Sequence, residues 1–417
     1  MSKWEWKKLG EVYDFTRGLT YSKKDEVESS SNCILRSNNI DLQTNSINLD
    51  ELKYIKDEID IPQEKYVRKN TILICMSNGS KAHLGKVAYI DKDYDFAFGG
   101  FMGLLKPKCE INGKFVHLYL CSDEYKNFIK SLSDGANINN LKFDDLRKFE
   151  IPFPPLSEQK RIVKFLDEEF SKIETLKTNA ETNLKNAKEL FETTLEKELN
   201  PLSRHSERSE ESSADLPSGW EWKTLQDICR KIVDGTHNSP PNKAKGDYQY
   251  ITAKNIKADG IDLSDVTYVS KEVHKEIFAR CNPEKGDVLL IKDGATTGIA
   301  VINTLDYEFS LLSSVALIKV DKTKIYEKTL VYLLNSKAIY KQMRKKMDGA
   351  AITRLTLEKI KALQIPLPPL SVQKEIVARL DKLTENVKRL ETNYKQIIAN
   401  CDELKKSILK QTFQGGN

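Results

Sequence analysis

Two long segments of the chain carry apolar residues at alternating steps of three and four positions, which is the spacing of a heptad repeat. In the first segment the spacing is interrupted at Lys177, and its apolar positions are Val163, Leu166, Phe170, Ile173, Ala180, Leu184, Ala187 and Phe191. In the second segment they are Ile376, Leu380, Leu383, Val387, Leu390, Tyr394, Ile397, Cys401, Leu404 and Ile408. The pattern predicts two helices of about 40 residues, each about 60 Å long.

An apolar seam of this length must be buried against another surface, and each helix is the nearest candidate for the other. Residues 151–215 carry a net charge of −4 and residues 366–417 one of +3, which favours pairing between the two segments over self-pairing. We expect the pair to be antiparallel, with a pseudo-two-fold axis and a domain at either end. The alternative is that each helix packs only on its own domain.

Shorter apolar runs lie ahead of each long segment. Residues 71–76 and 86–90 in the first half, and 287–291 and 299–302 in the second, have the length of strands. They are rich in β-branched residues and bounded by Gly, Asn and Asp, which are typical turn residues. The sequence therefore predicts two mixed α/β domains, each with a curved sheet.

The two halves of the chain repeat each other. Residues 151–163 read IPFPPLSEQKRIV and residues 365–377 read IPLPPLSVQKEIV, a shift of 214 positions. The sequence WEWK at residues 4–7 recurs at residues 220–223, a shift of 216. Solenoid repeats have periods of only about 20–50 residues. The long period therefore indicates two copies of a whole domain, each followed by a connecting helix.

The repeated proline motif marks where each domain is followed by its helix. Proline neither continues a helix nor joins a sheet interior, and Ser157 and Ser371 stand where a helix N-cap is expected. A polar, Ser-rich stretch between the copies predicts a flexible linker. The expected organisation is a first domain at 1–150, a first spacer helix at 151–200, a linker at 201–215, a second domain at 216–364 and a second spacer helix at 365–417.

Motifs for catalysis and metal binding are weak. Residues 79–87 resemble a phosphate-binding loop, but five residues separate the glycines and Val87 replaces the required Ser or Thr. The sequence SPPN at residues 239–242 lacks the aromatic residue with which amino-group DNA methyltransferases stack on a flipped base. The five histidines show no metal-ligand spacing and the seven cysteines form no CxxC pair. We therefore expect reduced thiols, no catalytic residue and no metal site.

The chain shows no signal peptide and no apolar run that approaches the roughly 20 residues needed to cross a bilayer. The expected location is the cytoplasm, without a membrane partner.

Charge and polar clusters favour a polyanionic partner. The chain has a net charge of +5, with 0 over residues 1–150 and +6 over residues 216–365, although solvated lysines are the alternative explanation. Asn and Arg can form paired hydrogen bonds with the edges of adenine and guanine. The candidate DNA-binding residues lie in polar loops of both halves: Arg36, Asn38, Asn39, Asn137, Asn139, Lys142, Asn238, Lys243, Lys245, Lys254, Asn255, Thr353 and Arg354.

The doubled proline motif, the WEWK opening of each copy and the domain–helix–domain–helix order resemble the specificity (S) subunit of type I restriction-modification systems. The resemblance covers essentially the whole chain. It implies an α+β fold with two mixed α/β target recognition domains, joined by two long antiparallel helices that form a coiled-coil spacer. Each domain would read one half of a split site in double-stranded DNA.

The resemblance also implies partner subunits. Two methyltransferase (M) subunits would dock on the helices. A separate restriction (R) subunit, which translocates and cleaves DNA, would be an optional further partner. S-adenosylmethionine, ATP and magnesium would belong to these partners, with no cofactor on this chain and no catalysis by it. The residues assigned to the helix starts and to partner docking are Pro155, Ser157, Gln159, Pro369, Ser371 and Gln373.

Three other functions remain as alternatives. The chain could be a coiled-coil scaffold that binds only protein, the specificity subunit of a related methyltransferase or nuclease, or a self-contained enzyme fused to recognition domains.

Overall fold

The computed structural model describes residues 4–133, 140–200, 216–345 and 354–414. The chain divides into two compact units, one formed by Met1–Glu181 with Gln396–Asn417 and the other by Thr182–Lys395. The predicted linker at 201–215 lies outside the described residues. The domain boundaries drawn from the sequence stay a prediction.

In the first unit, strands and short helices precede a long helix that begins in the first proline motif. The strands are β1 (Glu5–Lys8), β2 (Tyr13–Arg17), β3 (Glu26–Val27), β4 (Asn32–Leu35), β5 (Lys53–Ile55), β6 (Ile72–Cys75), β7 (Val87–Tyr89), β8 (Phe96–Phe98), β9 (Met102–Pro107) and β10 (Glu150–Phe153). The helices are α1 (Leu9–Val12), α2 (Gly113–Leu120), α3 (Asp123–Ser133), α4 (Phe143–Leu146) and α5 (Leu156–Leu199), whose last residues belong to the second unit.

The central sheet of the first unit is buried on both faces. Its strands are antiparallel in the order β2-β9-β6-β7. Along β6, Ile72 and Ile74 pack in a core with α2, whereas Leu73 and Cys75 pack in a second core on the opposite face. Burial on both faces explains why residues 71–76 form a continuous apolar run without alternation. A second sheet has the order β3-β5-β4-β8, and β1 pairs with β10.

The second unit has a similar order of elements. Its strands are β11 (Glu221–Thr224), β12 (Cys229–Asp234), β13 (Tyr248–Ile251), β14 (Ile256–Lys257), β15 (Gly260–Ile261), β16 (Thr267–Val269), β17 (Val288–Ile291), β18 (Ala300–Ile302), β19 (Ser310–Leu311), β20 (Val315–Val320) and β21 (Gln364–Leu367). Its helices are α6 (Leu225–Ile228), α7 (Lys271–Arg280), α8 (Glu327–Leu334), α9 (Lys337–Lys345), α10 (Leu357–Lys361) and α11 (Leu370–Gln414), whose last residues belong to the first unit. The central sheet has the order β12-β20-β17-β18.

The helices α5 and α11 run antiparallel within each unit. The ion pairs that join them are Lys177–Asp402 (2.8 Å) and Glu174–Lys405 in the first unit, and Glu198–Arg379 (2.7 Å) in the second. Residue numbers rise along α5 as those of the paired residues fall along α11. The predicted fold class, mixed α/β with two long antiparallel helices, is confirmed.

The heptad prediction holds with one exception. Every predicted seam position is buried or half-buried apart from Leu404, which is 46% exposed. Beyond it, Leu409 and Phe413 are buried instead. The buried positions of α11 shift along the helix surface because this end of the helix packs into the aromatic core of the first domain. There the ring of Phe413 lies 5.4 Å from that of Phe115 and 5.0 Å from that of Tyr119, centroid to centroid.

The alternative that each helix packs only on its own domain is wrong. Leu409 and Phe413 of α11 share a core with the first domain. In the second unit, Leu195 and Leu199 of α5 share a core with the second domain. Each domain is therefore held by both long helices, through burial that is the dominant stabilising contribution in folding.

The N-cap of each long helix lies two residues earlier than predicted. The carbonyl of Pro155 accepts the first helical bond of α5 from the N–H of Gln159 at 3.0 Å, and Pro369 accepts the same bond from Gln373 at 2.9 Å. The prolines are therefore the N-caps, and the prediction that Ser157 and Ser371 are caps was wrong. A proline fits there because the first N–H groups of a helix have no intrahelical acceptor, so its missing N–H costs nothing.

Candidate nucleic-acid interface

A cavity of about 520 Å³ opens beside the loop that follows β2 in the first domain. Three cationic side chains line it, Arg17, Lys23 and Arg36, together with the carboxylate of Glu26. Arg36 is half-exposed, and its Nη1 lies 3.8 Å from Glu26 Oε1, which is a weak, solvent-screened pair. The cavity thus concentrates positive charge in a domain whose net charge is 0.

The backbone around this cavity is fixed by a close approach between two loops. The N–H of Gly18 donates to Met102 O at 3.1 Å and that of Leu19 to Phe98 O at 2.7 Å. A Cβ on Gly18 would overlap the carbonyl of Gly99. Glycine is therefore required where the strand β2 turns into the cavity loop.

Tyr21, one of the aromatic side chains in the cavity wall, is a neutral hydrogen-bonding group. Burial raises the pKa of Tyr21, and the nearby charge of Arg36 only partly opposes this shift. The phenol therefore stays protonated at neutral pH and can donate a hydrogen bond.

The second domain carries a corresponding arrangement. A Cβ on Gly235 would overlap the carbonyl of Leu311, just as a Cβ on Gly18 would overlap that of Gly99. The loop that follows lines a cavity of about 410 Å³ together with α7, and the polar residues of this cavity include His237, Asn238, Glu276 and Arg280.

A buried carboxylate organises the charges beneath this second cavity. Asp234 receives a hydrogen bond from Arg280 at 2.9 Å, and its other oxygen lies 3.3 Å from Nζ of Lys292. The Lys292 side chain is 2% exposed and also lies 3.3 Å from Asp293 Oδ2. The other oxygen of Asp293, Oδ1, lies 3.3 Å from Nε of Arg354. Arg354 is thus the surface end of a chain of charges that reaches the core.

Two of the sequence-predicted residues have a structural role instead. Asn39 is 1% exposed and donates to the carbonyls of Asn48 and Glu51, while its Oδ1 accepts from the N–H of Arg36. Asn255 is 2% exposed and makes the equivalent bond to the N–H of Thr252. Their amides are buried and already bonded, so base contact by these two side chains finds no support in this geometry.

Most of the other predicted DNA-binding residues lie on the surface. Arg36 faces the first cavity and Asn238 the second. The remaining exposed residues are Asn38, Lys142, Lys243, Lys245, Lys254 and Arg354, of which Lys254 pairs with Asp265 at 2.9 Å. Asn137, Asn139 and Thr353 lie outside the described residues. Which of these residues contact DNA stays a prediction.

The sequence reasoning missed Arg17, Lys23 and Arg280. The available signal was the glycine that follows Arg17 and the one that follows Asp234 at the end of the matching strand. A glycine directly after a β-strand often marks a close backbone approach. Arg280 gave no signal, because its position under the loop depends on where α7 packs.

The residues assigned to the helix starts divide into two kinds. Gln159 and Gln373 are 1% and 0% exposed, whereas Pro155, Ser157, Pro369 and Ser371 are exposed. Both glutamines hold their helix to the preceding domain. Only the exposed residues are accessible to a partner, and docking by any of them stays a prediction.

In the described part of the chain, no group of three or more His, Cys, Asp or Glu side chains could hold a metal ion. No helix there is long and apolar enough to cross a membrane.

Comparison with known proteins identifies the repeated unit. The family model for the type I restriction modification DNA specificity domain matches twice, over residues 1–186 and 217–399. The chain is 26% identical over 412 residues to the type I restriction enzyme EcoKI specificity subunit of Escherichia coli (strain K12), covering 97% of this chain and 87% of that protein. It is 25% identical over 423 residues to the StySPI specificity subunit of Salmonella potsdam, covering 99% and 89%.

Solved structures share the fold along the whole chain. A chain from a structure of the assembly and conformational transition of the type I R-M system matches with a TM-score of 0.73 and 20% identity, covering 100% of this chain and 99% of that one. The HsdS subunit from Thermoanaerobacter tengcongensis matches with a TM-score of 0.62 and 20% identity, covering 100% and 98%. With two matches of the family model along most of its length, this chain belongs to the family of type I restriction-modification DNA specificity subunits.

Proposed function

We propose that each domain of this chain reads one half of a bipartite site in double-stranded DNA. The observation that carries the proposal is the repeated surface: in each domain a glycine-dependent loop follows the first strand of the central sheet and lines a cavity with arginine at its wall. Arginine binds phosphate and can pair with guanine edges in the major groove. The loops differ in sequence between the domains, so the two half-sites differ.

The paired helices serve as the spacer between the two half-sites. The support is their antiparallel ion pairing in both units and the burial of both helices against each domain. A helix rises 1.5 Å per residue, so the length of this pair sets how many base pairs are left unread.

Two methyltransferase subunits dock at equivalent places on the chain. Trp6 and Trp222 support this part of the proposal, because each is exposed, at 41% and 47%, on the edge ribbon next to a helix start. They sit in matched register, opposite Pro152 and Pro366. Exposed tryptophans are frequent anchors of protein–protein interfaces, and a duplicated anchor suits two copies of one partner.

In the proposed complex, these partner subunits catalyse the reactions. The chain supplies recognition, and the methyltransferase and restriction subunits hold S-adenosylmethionine, ATP and magnesium. The complex works in the cytoplasm, where it meets the DNA.

Methylation-aware sequencing of the host genome, with and without this gene, tests the proposal. The expected result is one split motif that is methylated only when the gene is present. The purified chain, mixed with its M subunits and a DNA library, should methylate the same motif. Methylation at no common split motif would contradict the proposal, and methylation by the chain alone would make it an enzyme.

A further inference from the structure

Phe101 stands out on the surface of the first domain. Its side chain is 69% exposed, the largest exposure among the large apolar side chains of the described residues. It follows Gly99 and Gly100 in the turn between β8 and β9. Single exposed apolar side chains are common on protein surfaces, so the surroundings of this ring decide what it can do.

The backbone that carries the ring is rigidly held. The carbonyl of Phe101 accepts hydrogen bonds from the N–H groups of Met76 at 2.9 Å and Ser77 at 3.1 Å. The N–H of Met102 donates to Gly99 O at 2.8 Å. The ring is therefore presented from a fixed position, which reduces the entropy lost when a ligand binds it.

The ring shares its cavity with cationic side chains. Phe101 lines the same cavity as Arg17, Lys23 and Arg36. Arg17 is tied to the same turn, because its Nε donates to Gly100 O at 3.1 Å. Phosphate-binding cations beside an aromatic stacking platform are the combination with which proteins hold unstacked bases.

The fold itself does not require this arrangement. In the central sheets, Arg17 pairs with Gly103 and Asp234 pairs with Ala316, so Asp234 occupies the position of Arg17 in the second domain. By the same register Ser314 replaces Phe101, and its hydroxyl accepts a hydrogen bond from the N–H of Ala253 at 3.1 Å. The exposed ring and its arginine are thus particular to the first domain.

We propose that Phe101 is a wedge that stacks on a base within the first half-site, while Arg17, Lys23 and Arg36 bind the flanking phosphates. This inference rests on the proposed reading of double-stranded DNA by the first domain. Phenylalanine wedges in other DNA-binding proteins partially unstack a base step and bend the duplex. The first half-site is therefore read partly through how easily that step opens.

The test uses the complete complex with its M subunits and a duplex that contains the methylated motif. Phe101→Ala is expected to weaken Kd about 10- to 100-fold, in the range of one lost base–aromatic contact. Phe101→Tyr should keep most of the affinity, because it keeps the ring. Leu49→Ala is the matched control, since Leu49 is an exposed apolar residue of the same domain outside the cavity.

A second readout locates the wedge. With 2-aminopurine placed in turn at each position of both half-sites except the adenines that the M subunits would flip, the wild-type complex should raise the fluorescence at one step of the first half-site only. Phe101→Ala should abolish that rise. Arg17→Gln should lower the slope of log Kd against log salt by about 0.9, the contribution of one phosphate contact.

The outcomes separate the inference from the function on which it rests. If the wild-type complex binds no split site, the proposed function itself fails. If it binds and Phe101→Ala binds equally well with the same fluorescence, only the wedge is wrong. A Phe101→Ala variant that loses M subunits while the assembled complex keeps its DNA affinity would make the ring a protein contact and overturn the wedge. Equal thermal unfolding of the two Phe101 variants excludes misfolding as the cause.

Discussion

The side-chain carbonyl of Gln159 accepts a hydrogen bond from the backbone N–H of Asn112 at 2.9 Å. Its amide donates to Pro154 O at 2.9 Å, so one buried side chain joins the start of α5 to the domain before it. In the second unit Gln373 bonds in the same way to the N–H of Tyr326 at 2.8 Å and to Pro368 O at 2.8 Å. The repeated glutamine is therefore a latch between domain and helix.

Removing the latch should destabilise the chain without changing what it reads. Gln159→Met keeps the volume but leaves a buried N–H and a buried carbonyl unbonded, at a cost of about 1–3 kcal/mol for each such group. Urea denaturation of the isolated chain measures the loss. Gln396→Met is the control, because Gln396 is exposed on α11 and its side-chain amide donates to Asn400 Oδ1 on the same helix. A loss no larger than that of the control would show that the latch carries no stability.

The two domains should be separable in specificity. Replacing residues 8–148 with the matching segment of another specificity subunit should change the first half-site and leave the second unchanged, because each domain has its own loop and cavity. Methylation-aware sequencing of a strain that carries the exchanged gene reads both half-sites at once. A change in the second half-site would contradict independent reading.

The parts predicted well from the sequence are those set by local periodicity. The heptad spacing locates both long helices, because apolar residues at steps of three and four over 40 residues, about eleven turns, indicate an amphipathic helix. It fails at Leu404, where the end of α11 leaves the seam to pack Phe413 into an aromatic core. That core consists of residues hundreds of positions away in the sequence. The heptad pattern of α11 therefore cannot predict the contact with them.

The candidate site was predicted less well, because exposure in loops depends on long-range packing. Asn39 and Arg36 look equally polar in the sequence, yet the structure buries the first and leaves the second half-exposed. Asparagine is as suited to bonding a backbone turn as to bonding a base. Phe101 and Arg17 come together only when β2 pairs with β9. A single sequence shows neither the burial of Asn39 nor the approach of Phe101 to Arg17.

Stability should fall in acid because of a buried histidine. Burial lowers the pKa of His117 from 6.5 to about 4, although the hydrogen bond to Asn45 O partly opposes this. Between these values the unfolded chain binds a proton that the folded chain does not, so unfolding becomes easier as pH falls through that window. The loss approaches about 3 kcal/mol at its lower end. Above pH 6.5 the His117 side chain is mostly neutral in both the folded and the unfolded chain, so the loss of stability disappears.

The His117→Gln variant isolates this effect. Glutamine can still donate to Asn45 O but does not titrate, so its unfolding free energy should change less between pH 7 and pH 4.5 than that of the wild type. Urea denaturation at both pH values makes the comparison. Identical pH dependence in the two proteins would exclude His117 as the cause.

If the paired helices act as a ruler that sets the gap between the two half-sites, the gap should lengthen only when both helices are lengthened together. Lys177 pairs with Asp402 in the antiparallel register, so seven residues inserted after Ala180 need seven more near Ala399 to keep the seam aligned. The matched insertion adds about 10 Å of helix, or about three base pairs of unread DNA. Sequencing of the methylated motif should show a longer gap between unchanged half-sites. Insertion into α5 alone should instead destabilise the chain, and changed half-sites with an unchanged gap would refute the ruler.

Trp6 and Trp222 should each hold one M subunit. Truncation of a tryptophan at the centre of an interface typically costs about 2 kcal/mol or more in binding. Either Trp6→Ala or Trp222→Ala should therefore leave a complex with one M subunit at concentrations where the wild type binds two, and the double variant should bind none. Native mass spectrometry counts the subunits, and Leu49→Ala, an exposed apolar residue away from both ribbons, should bind two. Because the two residues are related by the repeat, loss of both subunits from a single variant would mean that the partner docks across the chain as a pair, and unchanged binding by the double variant would place the docking surface elsewhere.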